Sequence, residues 1–168
     1  MELESLFGLP AHPLVVHAAV VLLPLAALAT LVVALVPRAR RHYAPVAFGL
    51  ALAATVAVGL AQASGEELED RVDETALVEE HTEQGERVLP WAVLTLVVSG
   101  AVVAAGPLQR RMEDKVKPAV VTGVLSVAAL VVGIGATATI IDVGHSGAKA
   151  TWNEVQANPA AGGDHDDD

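Results

Sequence analysis

Four stretches of this chain are almost free of polar side chains: residues 13–36, 44–63, 88–106 and 118–141. In the first only His17 and Thr30 are polar, and in the second only Thr55 and Gln62. A helix on the surface of a soluble core carries a charged face opposite its apolar stripe. None of these four runs contains Asp, Glu, Lys or Arg. Each holds 19 to 24 residues, and about 20 residues rising 1.5 Å apiece cross the roughly 30 Å apolar layer of a bilayer. The pattern therefore predicts an all-α integral membrane bundle of four transmembrane helices.

The stretch between the second and third runs has a different pattern. Ser64 followed by Glu67 matches a capping box. Leu68, Val72 and Ala76 then recur every four residues along an otherwise acidic segment. This predicts a short acidic helix between spans two and three, bending into span three near Gly85 and Pro90. Residues 1–157 form a single four-span membrane domain, and residues 158–168 read as a disordered acidic tail. No soluble domain, internal repeat or coiled coil is evident.

Charge adds an orientation. Seven of the ten basic residues lie in the links 37–43 and 107–117, among them Arg38, Arg40, Arg41, Arg110 and Arg111. The positive-inside rule puts both links in the cytoplasm, and both termini and residues 64–87 on the extracytoplasmic side of a cell membrane. The net charge of −10 then divides into −15 outside and +5 inside. Trp91 and Tyr43 fall at opposite interfaces, as an aromatic belt requires. The N-terminus opens with Glu2 and Glu4 rather than a basic cluster, so it does not read as a cleaved signal peptide.

Composition narrows the chemistry. Hydrophobic residues make up 53% of the 168, and the mean hydropathy is +0.51. There is no cysteine, which excludes disulfides, thiolate zinc sites, iron–sulfur clusters and covalent haem attachment in this chain. Net acidity argues against nucleic acid as a partner. No G-x-S-x-G, H-E-x-x-H or P-loop pattern occurs, so no hydrolytic activity of its own is expected.

What remains is histidine. Measured at 1.5 Å per residue from the inner ends of the spans, His12, His81, His145 and Asp142 stand at about 36 to 40 Å. His17 stands at about 28 Å. Histidines near one level on separate helices can ligate iron, zinc or copper. Two sets follow. His17, His81 and His145, with His12 in reserve, are candidate axial ligands for haem b. His12, His81, His145 and Asp142 are candidate ligands for zinc or copper. The alternatives are simpler: hydrogen bonds that fix loops for the histidines, and a helix stop for Asp142. His42 beside the arginines reads as an interfacial residue, and His165 belongs to the acidic tail. Gly133 and Gly135 read as positions of close helix packing.

The segments GLPAHPLVVHAAVVLLPLA, EEHTEQGERVLPWA and IIDVGHSGAKATW resemble the bacterial membrane proteins of domain-of-unknown-function family 2231. The resemblance spans about residues 8 to 152. It is carried by His12-Pro13 with His17, by His81 with Gly85, and by a turn at Gly144-His145-Ser146-Gly147. It implies a four-span bundle without an established activity. Relatives joined to Rieske-type iron–sulfur domains imply electron transfer and favour b-type haem. Without cysteine, this chain would meet any such domain as a separate protein. The expected function is thus haem-based electron transfer near the outer face. The alternatives are a zinc- or copper-binding membrane protein and a cofactor-free accessory subunit. Expected partners are the lipid bilayer and a redox or membrane-complex partner, with homo-oligomerisation left open.

Overall fold

Every one of the four apolar runs is helical in the computed structural model, which describes residues 5–6, 9–69, 75–111 and 117–157. A two-residue antiparallel pair, β1 (Ser5–Leu6) with β2 (Leu9–Pro10), precedes the helices. Then come α1 (Ala11–Leu35), α2 (Pro37–Glu69), α3 (Ala76–Glu86), α4 (Val88–Arg111) and α5 (Pro118–Ala157). The four long helices stand in a ring in the order α1, α2, α4, α5, and α3 lies against the far end of α5. Among the described residues, four helices are long and apolar enough to cross a membrane. The expected tail, residues 158–168, lies outside the described residues.

The helices outrun the apolar runs that predict them. Residues 37–43 are not a loop: α2 begins at Pro37, with only Val36 between it and the end of α1. Proline suits the first helical position because no intrahelical partner awaits its missing N–H. Pro118 opens α5 in the same way, with Lys117 accepting from the Val120 amide at 2.9 Å. At the other end α2 continues through Ser64 to Glu69, so Ser64 caps nothing. Its hydroxyl instead donates to the carbonyl of Ala61 at 3.0 Å. The cap of the acidic helix is Thr75, whose Oγ1 accepts from the Val78 amide at 3.3 Å. Likewise Asp142 does not stop α5, and Gly144 to Gly147 form no turn: the helix runs on to Ala157. Each glycine costs a helix about 1 kcal/mol, which contact with α3 can offset. We expect Thr75→Ala to cost about 1 kcal/mol, seen as faster amide hydrogen exchange in the first turn of α3 with the four long helices unaffected.

Packing is inverted relative to a soluble protein. The buried positions are dominated by alanine: Ala19, Ala26, Ala51, Ala54, Ala92 and Ala136 in one cluster, Ala34, Ala44, Ala47, Ala105 and Ala129 toward the arginine end. Large side chains point outward, with Val21, Val124 and Ile134 all more than 60% exposed. Lipid is as apolar as these side chains, so nothing drives them inward. Small residues let the backbones approach, and van der Waals contact holds the bundle. Gly135 and Gly133 serve that approach as expected. The indole of Trp91 on α4 lies where a Gly135 Cβ would stand, and Ala27 of α1 packs beside Gly133. The Thr55 hydroxyl lies 2.8 Å from Ala51 O of its own helix and 3.2 Å from the Ala92 carbonyl of α4, so its single proton is shared between α2 and the neighbouring helix.

Arg40 secures the opposite end from His12. Although charged, it is only 8% exposed. Its Nε donates to Val33 O at 3.1 Å, one Nη donates to Ala34 O, and the same nitrogen reaches Thr122 Oγ1 on α5 at 3.4 Å. In an unbroken helix the Val33 carbonyl would accept from residue 37, but Pro37 has no N–H. The guanidinium replaces that donor.

Candidate functional site

His12 is the second residue of α1, and its half-buried imidazole leans on the end of α2. Nδ1 is 2.9 Å from Ser64 Oγ. A Cβ added to Gly65 would stand 3.3 Å from the ring's Cε1. His81, on α3, makes the same arrangement with the extension of α5. Its Nδ1 is 3.1 Å from Ser146 Oγ, and a Gly147 Cβ would stand 2.9 Å from its Cε1. Ser64 and Ser146 are both buried, and each donates its proton down its own helix, to Ala61 O at 3.0 Å and to Val143 O at 3.1 Å. Burial, with a smaller contribution from the charge of His81, holds the His12 imidazole below its usual pKa.

The remaining candidates sit elsewhere. His17 is five residues past His12, which turns it about 140° around α1. It is exposed among the outward apolar side chains, and its Nδ1 donates to Pro13 O at 2.6 Å. His145 neighbours Ser146 but is exposed on another side of α5. It lines a polar cleft of about 250 Å³ with Glu80, Gln84, Arg87, Asp142 and Lys149. Thus the structure joins Asp142 to His145 along one cleft and seats His12 and His81 each against its own serine, but no three His, Asp or Glu side chains converge as a metal site among the described residues. His42 lies at the arginine end, exposed, with Nδ1 donating to Arg38 O at 3.1 Å. His165 is outside the described residues.

Sequence reasoning missed Ser64 and Ser146 as partners of the histidines. The available signal was a recurring dipeptide: Ser-Gly stands just past the second apolar run and again just past the fourth. The halves show no evident sequence repeat, yet each places an imidazole, a descending helix, a returning helix and a Ser-Gly step in the same order.

Chemically, the pair offers two imidazoles from separate helices, each with one ring nitrogen occupied by a buried hydroxyl. Metal-binding histidines are commonly oriented in this way, through a hydrogen bond at the nitrogen that does not bind.

The family described as predicted membrane proteins, DUF2231, matches residues 8–158, and the chain belongs to it. No curated protein and no solved structure matches the chain.

Proposed function

We propose that this membrane protein transfers single electrons through b-type haem held by His12 and His81. The observation that carries this reading is the pair itself: two half-buried imidazoles on different helices, with Nδ1 engaged by Ser64 and by Ser146. Haem iron asks for two protein ligands, because the macrocycle supplies the other four. A zinc site asks for three or four, and no such group stands among the described residues. The donor set therefore fits haem better than a bare ion. When bound, haem would supply the one-electron chemistry, and His12 and His81 would hold it through their imidazoles. This reading does not use His17, exposed among apolar side chains, or His145, which lines the charged cleft. The charge asymmetry supports placing the histidine end at the extracytoplasmic face of a cell membrane. An electron donor or acceptor would then meet the protein on that side.

The test is a visible spectrum of the full chain purified in mild detergent from haem-supplied cells. A Soret band at one haem per chain is expected, lost in His12→Ala and in His81→Ala but retained in His17→Ala and His145→Ala. A wild-type protein without a Soret band overturns the reading. Stoichiometric zinc or copper in that sample would replace haem by an ion, and neither would leave an accessory subunit.

A further inference from the structure

We infer that Ser64 and Ser146 are positioning residues, each holding its histidine as the neutral Nδ1–H tautomer and leaving Nε2 as the open lone pair. A serine hydroxyl has one proton. In both serines that proton is directed at a backbone carbonyl, Ala61 O at 3.0 Å and Val143 O at 3.1 Å. A carbonyl can only accept, so a hydroxyl bonded to it is the donor. The oxygen then presents a lone pair to the imidazole nitrogen 2.9 Å away in one case and 3.1 Å away in the other. Two lone pairs do not share such a distance, so Nδ1 must carry the proton. In a neutral ring the second nitrogen is then unprotonated.

The glycine after each serine completes the unit. A Cβ at Gly147 would approach Cε1, Nδ1 and Nε2 of His81 at 2.9, 3.2 and 3.5 Å, and one at Gly65 would approach Cε1 of His12 at 3.3 Å. Serine supplies the acceptor and glycine supplies the room for the ring to reach it. The chain's third Ser-Gly step, Ser99-Gly100, lies within α4 without a histidine. There the serine hydroxyl reaches no hydrogen-bond partner among the described residues. The arrangement is therefore not a general property of the dipeptide. It occurs where a histidine from another helix meets it, once in each half of the bundle.

An imidazole fixed in this way accepts through Nε2 alone. Its ligand class is an electron-pair acceptor, and a transition metal such as haem iron is the one considered above. The tautomer stands without haem, and only its purpose rests on the proposed function.

The experiment is long-range proton–nitrogen NMR of the full chain with ¹⁵N-histidine, prepared free of haem and metal, at a pH where imidazole is neutral. His12→Gln and His81→Gln assign the signals. In the wild type both residues should show a protonated Nδ1 and an unprotonated Nε2. Ser64→Ala should turn His12 alone toward the Nε2–H tautomer, and Ser146→Ala should do so for His81 alone. Ser64→Thr and Ser146→Thr, which keep the hydroxyl, should restore the wild-type pattern. Nε2–H rings in the wild type overturn the inference, with no need for a variant to fold. So do alanine variants whose tautomers are unchanged. Nδ1–H rings in a protein that takes up no haem would uphold the positioning and reject only the haem.

Discussion

Replacing Arg40 by alanine is expected to destabilise the bundle by about 2–4 kcal/mol, the cost of leaving two buried carbonyls without a donor. Val33 and Ala34, whose carbonyls the guanidinium serves, are almost wholly buried, and water is not at hand to take its place. Pro37 makes the first of these deficits permanent, because no rearrangement of the backbone can provide an N–H it lacks. The loss also severs the contact with Thr122, the bond that ties this corner to α5. Lysine should recover only part of the stability, since one ammonium cannot reproduce the planar fork. Unfolding in detergent, followed by circular dichroism against denaturant, gives the comparison. An Arg40→Ala protein as stable as the wild type would show that these carbonyls have another donor.

The second large effect is expected at Gly135. A methyl group there would come within 2.3 to 2.5 Å of three atoms of the Trp91 ring. No real carbon contact is so short, and a rigid indole cannot fold aside as a lysine or methionine would. Gly135→Ala should cost about 2–3 kcal/mol, the scale of overpacking in a dense core. Gly133→Ala is the matched control. Its new methyl would stand 3.7 Å from Ala27 Cβ, an ordinary contact, and it should be neutral within about 0.5 kcal/mol. Trp91→Leu should relieve much of the Gly135→Ala penalty, which a double-mutant cycle would register as a coupling between neighbours. Equal effects of the two glycine substitutions would contradict this account of the α4–α5 contact.

These two residues show how far a sequence can be followed. The four spans are legible because a bilayer demands a length and a composition, and both are local properties. Helix ends are not. The S-x-x-E pattern at Ser64 says what could cap a helix, but not that the preceding residues are already helical. Contacts decide that α5 passes Asp142, because the extension exists to receive α3 and His81. The positions of histidines along a single helix are legible for the same reason that the spans are: helical rise is fixed. Their bearings are not. His12 turns to Ser64 and His81 to Ser146, while His145 lines the charged cleft and His17 lies exposed among apolar side chains. A soluble helix announces its bearing through a polar face, whereas α1 and α5 are apolar all round through the membrane and give no such mark. Arg40 escaped for a related reason. In the sequence it is one of the charges that set orientation, and its service to the carbonyls ahead of Pro37 depends on α1 and α2 lying end to end.

The alanine-filled interior has a consequence for how the sequence stores its instructions. Entry into a bilayer depends on how apolar a segment is, and any order of the same residues would satisfy it. Assembly depends on which apolar residue stands where: Ala51 faces the centre and Leu52, its neighbour, faces out. Exchanging the two would leave the span equally apolar and equally able to insert, yet would set a bulky group between backbones that must nearly touch. The chain thus carries two messages in one run of letters, an address written in composition and a blueprint written in order.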